Sequence, residues 1–104
     1  MLYTKKEICG KWGFVDEKNE PICEFIYDEV RNFSEGIAAV RINDKWGYIN
    51  ETGSQICEIR YEAVGDFQSK LGVVDKEGKR CYLNTSGEEV TVTNFMNEEM
   101  IFEG

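Results

Sequence analysis

Apolar and polar positions alternate in short runs along this chain, and the runs return in the same order. Residues 37–42, 46–50 and 55–59 each read as a strand, rich in β-branched and aromatic side chains. In the middle run the period of two puts Trp46 and Tyr48 on one face and Gly47 and Ile49 on the other. Turn residues separate the runs. One set is Asp16-Glu17-Lys18-Asn19, Asn50-Glu51-Thr52-Gly53 and Asn84-Thr85-Ser86-Gly87. Asp or Asn opens such a turn by capping its own backbone, and Gly or Asn closes it where φ is positive. A second set falls at Gly10, Asp44 and Gly78, each just before a lysine. Two tight turns per unit predict three antiparallel strands per unit, and the segment 61–67 after them reads as a bulge or one helical turn.

The units are copies of one another. Lys11-Trp12-Gly13-Phe14-Val15-Asp16 returns 34 residues later as Lys45-Trp46-Gly47-Tyr48-Ile49-Asn50. A further step of the same length lands on Lys79-Arg80-Cys81-Tyr82-Leu83-Asn84, where Trp-Gly is lost. Ile22-Cys23-Glu24 matches Ile56-Cys57-Glu58, Tyr27 matches Tyr61 and then Phe95, and Phe33 matches Phe67. Ile37-Ala38-Ala39-Val40 aligns with Leu71-Gly72-Val73-Val74, and the start of the chain occupies the same place. The expected organisation is a single domain, 1–104, of three antiparallel β-meander units at about 1–34, 35–68 and 69–104, the last one degenerate and capping. The chain is expected to begin and end at unit boundaries. Gly13 and Gly47 inside strands predict a Tyr or Phe from a neighbouring strand lying over each.

Composition narrows the class. The 104 residues carry 13 aromatics (Phe 6, Tyr 5, Trp 2), enough for one modest core. No apolar run approaches the roughly 20 residues of a membrane span, and no apolar segment follows the N-terminal lysines, so the expected location is the cytoplasm. Twenty acids against 12 bases give a net charge of −8, which disfavours a phosphate backbone as partner. No Lys or Arg follows Arg80, while Glu88, Glu89, Glu98, Glu99 and Glu103 crowd the last stretch. That crowding reads either as a solvated face or as a surface for a basic partner. Cys9, Cys23, Cys57 and Cys81 show no paired zinc-ligand spacing, and no histidine is present to activate one as a nucleophile. They read as small apolar core residues. No metal site, cofactor or catalytic residue is expected.

Phe33-Ser34-Glu35-Gly36-Ile37-Ala38-Ala39-Val40, then Lys45-Trp46-Gly47-Tyr48-Ile49-Asn50, then Tyr61-Glu62-Ala63-Val64 resemble the bacterial WG-repeat family over essentially the whole chain. The resemblance implies an all-β repeat fold and a binding or scaffolding role without enzymatic activity. Where relatives carry Pro-Pro before the tyrosine, this chain has Cys23-Glu24 and Cys57-Glu58. The favoured architecture is an open twisted array forming a compact sheet or sandwich-like domain. The alternative is closure with pseudo-threefold symmetry.

Three functions are expected in order. The first is a protein-binding module, an acidic inhibitor or immunity-type protein that blocks a basic surface. Its contact residues would be Glu88, Glu89, Phe95, Glu98, Glu99, Phe102 and Glu103, where Phe side chains are set among acids. The second is a repeat that binds a glycan or small molecule along Trp12 and Trp46. The third is a self-assembling structural repeat. The oligomeric state is left open.

Overall fold

In the computed structural model, which describes residues 3–93 and 101–103, the capped turns form as their composition predicts. Asp16 Oδ1 accepts the N–H groups of Lys18 and Glu20 at 2.8 and 3.0 Å. Asn50 does the same for Thr52 and Ser54 at 3.0 and 3.1 Å. Asn84 takes Ser86 and Glu88 at 2.9 and 3.0 Å. The closing residues Asn19, Gly53 and Gly87 all have positive φ, at 65°, 84° and 82°. Two-residue turns then join strand pairs. Cys9-Gly10 and Glu77-Gly78 have positive φ at both positions, the mirror-type turn that matches strand twist. In the middle copy the positive φ falls on Asn43, one residue before Asp44.

The strands are β1 (Thr4–Ile8), β2 (Lys11–Val15), β3 (Glu29–Val30), β4 (Ile37–Ile42), β5 (Lys45–Asn50), β6 (Ala63–Val64), β7 (Gly72–Lys76), β8 (Lys79–Leu83), β9 (Glu89–Thr93) and β10 (Ile101–Glu103). They form three antiparallel sheets: β1-β2, then β3-β4-β5, then β6-β7-β8-β9-β10. No helix among the described residues is long and apolar enough to cross a membrane. Each of the later two sheets takes its first strand from the end of the preceding sequence unit. A third two-residue turn makes this possible, at Glu35-Gly36 and Ser69-Lys70, each with two positive φ values.

The predicted third strand at 55–59 does not form. After β5 the chain bridges back at Gln55 and Tyr61 only. Ile56 N–H donates to the Tyr48 carbonyl, and Trp46 and Tyr61 exchange both backbone bonds. Residues 57–60 therefore bulge over the two-residue step from Tyr48 to Trp46. The glycine explains the bulge. A Cβ at Gly47 would sit 2.7 Å from Ile59 Cγ1 and 3.0 Å from Ile59 Cα. At Gly13 it would sit 2.9 Å from the Phe25 ring. The aromatic cover expected from a neighbouring strand comes at Gly13 from Phe25, which lies outside any strand, and at Gly47 an aliphatic side chain, Ile59, takes its place.

The sheets stack as three layers in an open line, with principal extents of 48 × 29 × 16 Å. The β4–β5 hairpin is buried on both faces. Ala38, Val40 and Ile49 pack with Phe14, Tyr27 and Val30 toward the first layer. Ile37, Ala39 and Tyr48 pack with Tyr61, Phe67 and Val74 toward the third. Ring pairs repeat at each junction: Phe14 with Phe33 at 4.6 Å, Tyr48 with Phe67 at 4.8 Å. The capped turns seat each layer on the one before. A Cβ at Gly53 would lie 1.9 Å from the Ile22 carbonyl oxygen, and one at Gly87 1.7 Å from that of Ile56. Close approach and positive φ together demand glycine there.

Candidate functional site

Polar contacts join the second layer to the third, several of them between residues about one sequence period apart. Arg31 donates to the Val64 carbonyl at 2.9 Å, and Ser34 Oγ to that of Phe67 at 2.7 Å. The Glu35 carboxylate accepts the Ser69 and Lys70 N–H groups at 2.9 and 2.7 Å. Tyr48 Oη donates to the Gly65 carbonyl at 2.5 Å, and burial pushes that phenol well up.

The acids singled out from the sequence have separate fates. Glu88 is exposed and accepts a bond from Asn84 Nδ2 at 3.1 Å. Glu89 opens β9 with its Oε2 held by Lys76 at 3.0 Å, and by Tyr61 Oη and Arg60 at 3.1 Å each. The Lys76 ammonium leads in drawing its carboxyl below the usual range, against a smaller opposing effect of burial. Burial raises the Tyr61 phenol, so it stays a donor at neutral pH. Glu89 is thereby bound up in the junction between the second and third layers. Phe102 and Glu103 lie in β10, paired with Val92 and Thr91 on β9. Phe95, Glu98 and Glu99 lie outside the described residues.

The tryptophans are half-buried at the layer margins, and the chain's own cations lie over them. Lys5 Nζ sits 5.9 Å from the Trp12 ring centre. Trp46 has Arg31 at 4.7 Å and Arg41 at 6.0 Å. Arg31 and Arg41 are in turn paired to Asp66 at 3.8 Å and Glu29 at 3.2 Å.

One depression, of about 270 Å³, opens on the third layer, lined by Ala63, Val64, Gly65, Val73, Asp75 and Arg80. Stepping back one period, these positions are Glu29, Val30, Arg31, Ala39, Arg41 and Trp46. The depression is thus the counterpart of the clamped Trp46 site, with the ring replaced by Arg80 and one clamping arginine by Gly65. Arg80 Nε donates to Asp75 Oδ1 at 3.3 Å, and its side chain is 68% exposed. The substitutions were visible in the aligned units, but only stacking shows that they leave a hollow.

The cysteines divide. Cys23, Cys57 and Cys81 are half-buried beside the cores, whereas Cys9 is exposed on the first hairpin turn, outside any core. Burial raises the Cys23 and Cys57 thiols, which disfavours the reactive thiolate. Among the described residues no group of three His, Cys, Asp or Glu is placed to hold a metal.

The family model for the WG containing repeat matches residues 12–46 and again 46–79. The second match ends within β8, before the capped turn of the third layer. No curated protein and no solved structure matches the chain.

Proposed function

Because the chain belongs to the WG-repeat family, built of β units that stack, we propose that it is a non-enzymatic protein-binding module of the cytoplasm whose acidic surface engages a basic partner. The carrying observation is the charge distribution: a net −8, with no Lys or Arg after Arg80 to balance the acids that follow. Such a surface speeds encounter with a basic protein and blocks it, as an inhibitor or immunity-type protein would. Glu88 presents its charge on the third layer. Phe95, Glu98, Glu99, Phe102 and Glu103 extend the same stretch, and the phenylalanines supply apolar anchors. Glu89 contributes to the layer junction instead. The glycan-binding alternative draws less support, since Lys5, Arg31 and Arg41 lie over the tryptophans that would form its ladder.

Capture with the tagged full chain at low and high salt, followed by identification of what is retained, tests the reading. A stoichiometric basic protein released by salt supports it. Retention of nothing, or only of a partner indifferent to salt, contradicts it.

A further inference from the structure

We propose that the hollow on the third layer is a socket for one aromatic side chain, of the indole class, carried by the protein partner. The inference rests on the protein-binding reading above. The second layer supplies the template. There the same place is filled by Trp46, with Arg31 and Arg41 against its ring and an apolar floor at Ala39. In the third layer Val73 stands in for Ala39, Val64 also lines the hollow, and the intrinsic ring is gone.

What remains suits an incoming ring. Arg80 is tethered by Asp75 and exposed, so its guanidinium plane is available for stacking, and guanidinium–aromatic contact favours indole over smaller rings. The hollow of about 270 Å³ falls just below the roughly 300–1,000 Å³ of drug-sized sites, which fits a single side chain. A further copy of the repeat is a poorer occupant. The groups that lock the second layer to the third, Arg31, Ser34 and Glu35, become Gly65, Gln68 and Ser69 one period on. The residues that clasp a following layer are therefore absent from this one.

Filling the socket from within provides the test. Gly65 has no positive φ, and a Cβ there would meet only Val73, at 3.9 Å and beyond. The double variant Gly65→Arg, Arg80→Trp therefore restores the ring and the counterpart of Arg31, while Asp75 stays in the place of Arg41, without a clash of the new Cβ at position 65. Free indole titrated into the isotope-labelled full chain should shift the amides of Gly65, Val73 and Asp75 saturably, at about millimolar concentration. The double variant should keep the native spectrum elsewhere and lose those shifts. In the salt-dependent capture it should retain about tenfold less partner, or less still. Absence of shifts in the unmodified chain and in Phe95→Ala alike, or shifts undiminished in the double variant, would overturn the socket. Shifts that emerge only after Phe95→Ala would overturn a partner-borne ring, since this chain would then supply its own. Equal capture by both proteins would overturn the socket's role and leave the protein-binding reading standing. Capture of nothing by either would overturn that reading and this inference with it.

Discussion

The second and third layers start from the same repeat and diverge at one dipeptide. The second has Trp46-Gly47, and its following run bulges, with Ile59 lying on the glycine. The third has Arg80-Cys81, and its following run is the regular strand β9, with Val90 opposite Tyr82 and Glu89 opposite Leu83. The first two steps are alike in both copies, Glu89 and Val90 pairing as Gln55 and Ile56 do, and β9 then runs on as a strand paired with β10 where the second-layer run bulges. Where the aromatic-glycine pair is present, a meander ends in a bulge and a new layer follows. Where it is lost, the last sheet has five strands.

The two junctions differ in parallel. At the first, Tyr27 Oη receives a bond from Gln55 at 3.4 Å, with Ile26 and Ile42 nearby in the repeat. At the second, the corresponding residues are Tyr61, Glu89, Arg60 and Lys76, which form a charged cluster. Three positions change together because an acid in that place requires cations beside it.

Breaking the seat between layers should have the largest effect. Gly87→Ala drives a Cβ into the Ile56 carbonyl and should destabilise by roughly 3–5 kcal/mol in chemical denaturation. Asn19→Ala, at the equivalent turn of the first layer, should cost distinctly less, about 1 kcal/mol, since only positive φ is at issue. Next, Gly47→Val should push Ile59 off β5 and lower the melting temperature by about 10 °C, equivalent to roughly 2 kcal/mol. An unchanged melt would break the link between glycine and bulge. Arg31→Gly copies the third layer's Gly65 into the second and removes the bond to Val64 and the contact with Trp46. It should cost about 1–2 kcal/mol.

The smallest effect sharpens the contrast between junctions. The folded-state pKa of Glu89 is depressed, so its contribution is complete above the ordinary glutamate value of 4.5 and fades as pH falls through the lower folded value. Glu89→Gln, which copies Gln55, should flatten the acid limb of stability against pH by a fraction of a kcal/mol, about 0.5 for so exposed a pair. Asp28, drawn down chiefly by Lys11, adds a similar acid dependence that the variant retains.

The turns were readable because Asp16, Asn50 and Asn84 cap their own backbone, a purely local property. The bulge was not. Residues 55–59 sit between turn signals as a strand would, and the approach of Ile59 to Gly47, across the sheet, is not visible in their composition. Glycine at 53 and 87 against asparagine at 19 looked like turn variation alone. The carbonyls of Ile22 and Ile56 beneath the two glycines supply the further reason, and stacking alone reveals it. The turn at Ser69-Lys70 carries no compositional signal, although its counterpart Glu35-Gly36 ends in a glycine. Of the candidate site, Glu88 was legible as an exposed acid. Glu89 was not legible as a bound one, because its partners Arg60 and Lys76 come from other runs of the repeat.

Amide hydrogen exchange over residues 55–61 and 89–93 tests most directly whether the dipeptide sets the path of the chain. The account predicts slow exchange at Ile56 and Tyr61, which donate to β5, and fast exchange at residues 57–60 between them. It also predicts protection at Val90, which pairs with Tyr82, continuing along residues 91–93, which pair with β10. Uniform slow exchange through 55–60, matching β9, would contradict it.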